Sequence, residues 1–184
     1  MDSDGVNLMK MIESSVVAEG NIIKMRCDTL ETRAGHRVLR DVIEHRGAVA
    51  MVPIDSKGQV LLVRQYRHAA GKWLLEIPAG TLDPGEDPIL AAQRELREEV
   101  GFAAGRLEPI GGCYTSPGYS DEYLRFYVAR DLIQDPLEAD IGEEIEVRSV
   151  ALTDVRMLIA TGEIEDAKTI AALLLILHRD GEQS

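Results

Sequence analysis

Residues 80–102 read GTLDPGEDPILAAQRELREEVGF, and this stretch is the most informative part of the chain. Asp87 and Pro88 close a turn-rich loop, and they suit the cap and the first position of a helix. Apolar side chains then recur at helical spacing, which predicts one buried stripe made of Ile89, Ala92, Leu96 and Val100. The pattern predicts a helix that ends near Gly101, a residue type suited to the reversal after a helix.

Three glutamates lie together on a separate arc of this helix, away from the stripe. Glu95 and Glu99 are one turn apart, and Glu98 is beside both. Their mutual repulsion would be offset by a divalent cation, and an all-oxygen ligand set favours Mg²⁺ or Mn²⁺ over zinc. Arg94, one turn before Glu98, could hold Glu98 in a bidentate pair. The alternative is a solvated acidic surface with an ordinary arginine.

The run also carries a known motif: glycine, five residues, glutamate, seven residues, then Arg-Glu-aliphatic-x-Glu-Glu-x-Gly-apolar. The matching positions are Gly80, Glu86, Arg94, Glu95, Leu96, Glu98, Glu99, Gly101 and Phe102. In this motif the chain resembles the Nudix hydrolases, and the resemblance extends over most of its length. It implies an α/β fold, a Nudix-type α/β/α sandwich with a mixed sheet and an N-terminal β-hairpin extension.

The resemblance implies roles for the box residues. The metal ligands would be Glu95, Glu98, Glu99 and the carbonyl of Ala79, and Glu98 and Arg94 would also serve catalysis. A glutamate from the loop before the last strand would act as base or metal ligand. Glu143 matches best and Glu144 is the second choice, and a solvated acidic loop is the alternative.

Residues outside the box point to one branch of this family, the ADP-ribose pyrophosphatases. The segment VRQYRH contains Arg64 and Arg67, which could hold a diphosphate against the negative charge of the chain. Pro117, sixteen positions after Gly101, and Glu122 match positions linked in this branch to the substrate. Tyr66 and Trp73 suit stacking on adenine or core packing equally.

The implied reaction is Mg²⁺-dependent hydrolysis of ADP-ribose to AMP and ribose 5-phosphate. One alternative is a pyrophosphatase acting on a nucleotide sugar such as GDP-mannose, or on another nucleoside diphosphate linked to a different group. A remote alternative is a sensing domain that binds ADP-ribose or NAD without cleaving it. The intact box disfavours that alternative.

Composition limits the partners. The 184 residues include 20 basic and 32 acidic side chains, and the net charge of −12 disfavours nucleic acid and anionic membranes. Two cysteines in no zinc-binding spacing and an acidic start without an apolar signal core predict a cytoplasmic protein.

The remaining pattern predicts two parts, an extension at 1–46 and a Nudix domain at 47–184. Residues 1–14 read as loosely ordered, and the strands after them lack a core of their own, so the extension is expected to serve as the dimerisation arm of a homodimer. Near the C-terminus, Thr153 is expected to cap a short helix. A last helix from about Asp166 to His178 is expected to bury the set Ile170, Leu173, Leu174 and Leu177.

Overall fold

The computed structural model describes residues 9–138 and 144–181, which form ten strands and three α-helices. The strands are β1 (Met9–Glu19), β2 (Ile23–Thr32), β3 (Arg37–His45), β4 (Ala48–Pro53), β5 (Gln59–Arg67), β6 (Lys72–Glu76), β7 (Ala79–Thr81), β8 (Phe102–Tyr114), β9 (Tyr123–Gln134) and β10 (Ile145–Ala151). The helices are α1 (Pro88–Glu95), which a π-helical segment continues over Leu96–Val100, α2 (Val155–Ala160), which follows a 3₁₀ turn at Leu152–Asp154, and α3 (Ala167–Gly181).

The chain divides into two compact units. One comprises the chain as far as Arg46 together with Tyr114–Glu122, and the other comprises Gly47–Cys113 and Tyr123–Ser184. The first unit contains an antiparallel sheet in the order β1-β2-β3. Residues 9–14 are therefore strand, and the expectation of loose order there is wrong, because cross-strand hydrogen bonds to β2 fix a segment whose side chains lack a clear alternation.

The second unit contains two sheets, in the orders β7-β4-β9-β8 and β10-β5-β6. The first of these sheets is mixed, since β4 runs parallel to β9 and antiparallel to β7. All six residues of β4 are buried, as is usual for a strand covered on both faces.

The two faces of β4 belong to two different hydrophobic cores. Ala48, Ala50 and Val52 pack in a core that includes Leu173 and Ile176 of α3. Val49 and Met51 pack in a core that includes Ala91, Ala92, Leu96 and Val100 of the box helix. Helices thus cover opposite faces of the sheet, and the expected α/β sandwich with a mixed sheet is confirmed.

Three details of the helices differ from the predicted pattern. Ile89 and Leu174 are 48% and 39% exposed, so each lies outside the stripe predicted for its helix, where Ala91 and Ile176 are buried instead. On α1 the small alanines fit where the helix approaches the sheet closely, and on α3 the buried face is formed by Ala172, Leu173 and Ile176. Thr153 does not cap α2; Asp154 occupies the cap position and makes no side-chain cap hydrogen bond.

None of the helices within 9–138 and 144–181 has the length and apolar character needed to cross a membrane.

Candidate active site

The box helix begins as its sequence predicts and changes its winding halfway. Asp87 accepts a hydrogen bond from the backbone N–H of Ile89 at 2.8 Å, and Pro88 occupies the first turn. From Leu96 the helix is π-wound, and the N–H of Gly101 closes it on the carbonyl of Leu96. Gly101 has a φ of 77°, which glycine adopts without a Cβ penalty. Since π turns are rare and concentrate at functional sites, this change of pitch marks the glutamate segment as specialised.

Arg94 is the centre of the acidic cluster. Its Nε and one terminal nitrogen donate to both oxygens of Glu86 at 3.0 and 3.1 Å. Its other terminal nitrogen donates to Glu95 at 2.7 Å and to Glu98 at 2.9 Å. The bidentate partner is therefore Glu86, and the expectation that it would be Glu98 is wrong. The loop before the helix places Glu86 in line with the guanidinium plane, whereas Glu98 on the same helix reaches only one nitrogen.

Glu95 and Glu99 are more buried than glutamates on a solvated helix face would be. Glu95 is 9% exposed and Glu99 is 7% exposed. Glu99 accepts a hydrogen bond from the backbone N–H of Ala79 at 3.0 Å. A Cβ at Gly80 would lie 1.9 Å from the carboxylate of Glu95. Any larger residue at position 80 would therefore force the Glu95 carboxylate away from the backbone of β7.

The electrostatics of the cluster follow from these contacts. The hydrogen bonds from Arg94 lower the pKa of Glu86 below its ordinary value. Hydrogen bonding to Glu86, with the nearby charge of Glu95, raises the pKa of Arg94. Glu86 and Arg94 are therefore both charged at neutral pH, and one arginine faces the carboxyl groups of Glu86, Glu95 and Glu98.

The donor set fits a hard divalent cation. All side-chain donors are carboxylate oxygens, which suit Mg²⁺ or Mn²⁺, and the missing Cβ at Gly80 lets the Glu95 carboxylate lie against the backbone of β7. Within residues 9–138 and 144–181, no three acidic, histidine or cysteine side chains converge as a ready metal cage. Arg94 draws Glu95 and Glu98 to itself, while Glu99 bonds to the backbone at Ala79.

Arg67 is anchored by a buried carboxylate. Its guanidinium donates to both oxygens of Glu76 at 2.9 and 2.7 Å, and Glu76 is 1% exposed. Lys168 of α3 bonds to the same carboxylate and also to Asp166 at 3.0 Å. Burial alone would raise the pKa of Glu76, but hydrogen bonds from Arg67 and Lys168 lower it overall. We name Arg67, Glu76, Lys168 and Asp166 the α3 ion-pair network.

This network extends toward the box glutamates. The pKa of Arg67 is raised chiefly by its hydrogen bonds to Glu76, and the negative charges of Glu76, Glu99 and Asp166 add to the shift. Arg67 thus lies within electrostatic reach of Glu99, and its side chain is 39% exposed. Arg64, also on the central strand β5 of this sheet, bonds to Glu146 at 3.1 Å and stacks over Trp73 at 4.7 Å. Tyr66 meets Trp73 edge to face, with ring centroids 5.8 Å apart.

The remaining predicted site residues are Pro117, Glu122, Glu143 and Glu144. Pro117 and Glu122 belong to the first unit, where Pro117 lies in a turn closed from Tyr119 N–H to Ser116 carbonyl at 3.0 Å. Glu122 accepts a hydrogen bond from Thr115 Oγ1 at 2.6 Å. Glu144 is exposed at the start of β10, and Glu143 lies outside the described residues.

Sequence reasoning passed over two members of the site. Glu76 stands between Leu75 and Ile77 in an otherwise apolar run, and a charge in a buried strand requires a partner. The position of Glu76 in the sequence could therefore have indicated a buried ion pair. The partner Lys168, 92 positions away, could not be identified before the fold was known.

Comparison with known proteins agrees with this geometry. A family model described as NUDIX domain matches residues 44–173. An ADP-ribose pyrophosphatase of Bacillus subtilis (strain 168) is 34% identical over 183 residues, covering 96% of this chain and 99% of the relative. An ADP-ribose pyrophosphatase of Mycobacterium tuberculosis is 38% identical over 168 residues, covering 90% of this chain and 81% of the relative. A crystal structure of an ADP compounds hydrolase superposes with a TM-score of 0.87 at 27% identity and covers 99% of both chains. On the box, the fold and these matches together, the chain belongs to the NUDIX domain family.

Proposed function

We propose that this protein is a hydrolase that cleaves the diphosphate of ADP-ribose to give AMP and ribose 5-phosphate. The observation that carries the proposal is the carboxylate cluster on the box helix, in which Arg94 bonds Glu86, Glu95 and Glu98 beside Glu99. The choice of substrate is supported by the two relatives named ADP-ribose pyrophosphatase, which align over most of the chain.

The cofactor in this proposal is Mg²⁺, with Mn²⁺ as a substitute, held by Glu95, Glu98, Glu99 and the carbonyl of Ala79. When bound, such a cation neutralises charge on diphosphate oxygens and lowers the pKa of bound water. The oxygen-only donors, and the close approach of the Glu95 carboxylate to Gly80 beside Ala79, support this assignment.

The remaining roles concern positioning and proton transfer. Arg67 is proposed to bind the diphosphate, because Glu76 fixes its guanidinium within electrostatic reach of Glu99. Arg64, Pro117 and Glu122 are proposed to contact the rest of the substrate. Glu143 or Glu144 would take the proton of a water whose oxygen bonds to phosphorus as the bridging P–O bond breaks.

A substrate panel tests the activity. Purified protein with Mg²⁺ is given ADP-ribose, GDP-mannose and NAD, and the products are separated by chromatography. AMP and ribose 5-phosphate from ADP-ribose, at a kcat/KM well above that for the other two, is the expected result. Cleavage of GDP-mannose with ADP-ribose untouched would show a nucleotide-sugar pyrophosphatase. Binding of ADP-ribose without turnover would show a sensing domain.

We further infer that residues 1–46 form the arm of a homodimer, attached to a Nudix domain at 47–184. Nearly every side chain of β1 is exposed, and this strand lies at the edge of its sheet. The exposed apolar residues of this region include Met11, Ile12, Val16, Val17, Ile22, Ile23 and Leu39. An open edge with so much apolar surface is a typical site of association.

Sedimentation velocity at micromolar concentration tests the arm. The wild type is expected to sediment as a dimer, and Val17→Glu is expected to shift it to monomer. Met157→Glu, at an equally exposed apolar residue of α2, serves as the control and should stay dimeric. A wild type that sediments as a monomer would contradict the proposed homodimer.

We also infer a cytoplasmic location and neither nucleic acid nor membrane as partner. The net charge of −12 supports this inference, because it repels polyanions and anionic lipid surfaces. An electrophoretic shift assay with duplex DNA at low salt should show no complex.

A further inference from the structure

The first turn of α3 packs against the segment that joins β6 to the box. Thr169, which is fully buried, accepts a hydrogen bond from the backbone N–H of Ile77 at 2.9 Å. Two residues further along the chain, the N–H of Ala79 donates to Glu99 of the box helix at 3.0 Å. The segment 76–79 therefore contacts α3 at one end and a box glutamate at the other.

Asp166 holds the first turn of α3 in place. Its carboxylate accepts a hydrogen bond from the N–H of Thr169 at 2.9 Å and another from Thr169 Oγ1 at 2.6 Å, as a helix cap does. The same carboxylate lies 3.0 Å from Nζ of Lys168. The cap and the ion pair together fix the direction in which the side chain of Lys168 leaves the helix.

Lys168 occupies a position that helix electrostatics disfavour. It is the second residue of α3, where the partial positive charge of the helix N-terminus repels a cation. Its side chain is only 13% exposed, so water screens this repulsion incompletely. The pairing with Asp166 and with the buried carboxylate of Glu76 offsets the repulsion. A lysine at this position is therefore explained by the carboxylate of Glu76 and not by the helix to which it belongs.

Glu76 connects Lys168 to Arg67. Lys168 and Nη2 of Arg67 both bond to Oε2 of Glu76, while Nε of Arg67 bonds to Oε1. Because Glu76 is 1% exposed, loss of Lys168 would leave part of a buried charge without its partner. The carboxylate that orients the guanidinium would then be held less firmly. The bidentate pair engages Nε and Nη2 of Arg67, so Nη1 is the nitrogen that can meet a substrate oxygen.

A second lysine also joins β6 to the start of α3. Lys72 of β6 forms an ion pair with Glu165, just before α3, and both side chains are about half exposed. Within residues 9–138 and 144–181, Lys72 makes no bond to Glu76. A comparison of Lys72 with Lys168 therefore separates the attachment of α3 from the orientation of Arg67.

We propose that Lys168 is a positioning residue of the hydrolysis, which acts through Glu76 to hold the guanidinium of Arg67 where it binds the substrate diphosphate. This inference rests on the proposed function, since it takes Arg67 as a ligand of the diphosphate. Lys168 affects how tightly substrate binds and not how fast the bond breaks. Helix α3, which carries no residue of the box, thus sets the affinity for substrate.

Steady-state kinetics of Lys168→Met test this proposal, because methionine keeps much of the length of the side chain and removes its charge. We expect KM for ADP-ribose to rise at least about 10-fold, as loss of a charged contact should, with kcat within about 3-fold of the wild type. Lys72→Met is the matched control and should keep the wild-type KM. If Lys168→Met does not fold, Lys168→Gln, which keeps a hydrogen-bond donor, takes its place.

A double-mutant cycle with Arg67→Gln shows whether Lys168 acts through Arg67. When Lys168→Met is added to Arg67→Gln, we expect KM to change by less than about 2-fold, since the group that Lys168 positions is already gone. A merely structural role would raise KM equally in both backgrounds. That outcome, an unchanged KM in Lys168→Met, or an equal rise in Lys72→Met would overturn the proposal.

The choice of substrate keeps this test separate from the test of the proposed function. The cycle is measured on whichever diphosphate of the substrate panel the wild type cleaves, so a different substrate leaves the test of Lys168 intact. If none is cleaved, the proposed function fails, and the Kd of ADP-ribose in isothermal titration calorimetry with Mg²⁺ replaces KM in the same cycle. Absence of both cleavage and binding would overturn both proposals.

Discussion

Gly80 faces the carboxylate of Glu95 so closely that any side chain at this position must displace it. We expect Gly80→Ala to lower turnover at least about 10-fold by moving Glu95, a proposed metal ligand, as loss of ligand support does elsewhere. The required Mg²⁺ concentration should rise as well. Gly20→Ala is the control, since a Cβ there meets only Ile23 carbonyl oxygen at an ordinary 3.6 Å. Equal Mg²⁺ dependence in both variants would show that Glu95 is not a ligand.

Glu99 separates metal binding from folding at a single side chain. Glu99→Gln keeps an oxygen for the N–H of Ala79 but removes the charge, so we expect turnover to fall roughly 100- to 1000-fold with little change in unfolding. Glu99→Ala also leaves the N–H of Ala79 without this hydrogen-bond acceptor, which should lower the free energy of unfolding by about 1–3 kcal/mol. Kinetics and urea denaturation measure both effects, with exposed Glu163→Gln as the control. Near-full activity in Glu99→Gln would exclude the residue as a ligand.

For single residues, the sequence predicts which residue types form the site better than it predicts which side chains bond to each other. The box places Arg94 and the glutamates on one helix, but the bidentate partner of Arg94 comes from the loop at Glu86. Helical spacing alone favours Glu98, because it counts only neighbours on the same helix. Loop conformation decides which carboxylate meets the guanidinium plane, and no local pattern encodes it.

Among the elements, the box helix offers a direct test of core against surface. Leu96 is fully buried and Leu90 is 65% exposed on the same helix. Leu96→Ala should lower the free energy of unfolding by about 2–5 kcal/mol through a cavity, whereas Leu90→Ala should change it little. Urea denaturation compares the two variants. Similar losses in both would contradict the packing of α1 described above.

Some features of the secondary-structure elements cannot be predicted from the spacing of apolar residues. The box helix and α3 follow helical apolar spacing, and both are found close to their predicted positions. The π turn at Leu96–Val100 has no such signature, because it depends on how the helix end meets the sheet. The start of β1 also lacks a recognisable pattern, because an edge strand with both faces exposed does not need alternating apolar and polar side chains.

Across the second unit as a whole, the α3 ion-pair network joins β5, β6 and α3 around Glu76. The lowered pKa of Glu76 means that its contribution to stability is full above the unfolded value of about 4.3 and is lost as pH falls through the folded value. We expect the free energy of unfolding to decline below about pH 4.3. Glu76→Gln should be less stable at neutral pH and should show a shallower decline.

Urea denaturation between neutral and acidic pH measures this difference, with Glu163→Gln as the control at an exposed position. Identical pH profiles for the wild type and Glu76→Gln would show that the network does not couple α3 to the sheet. The prediction belongs to this scale because its partners lie up to 92 positions apart in the chain, as for Glu76 and Lys168. Such pairings arise only once the sandwich has formed.

Arg94 gives the carboxylates of the box a resident counter-charge before any ion arrives. We therefore expect folding of the chain and binding of the proposed divalent cation to be separate events, unlike in domains that fold only when zinc binds. A chelator should then abolish activity without unfolding the protein, and a cell depleted of the metal would retain a folded, inactive pool.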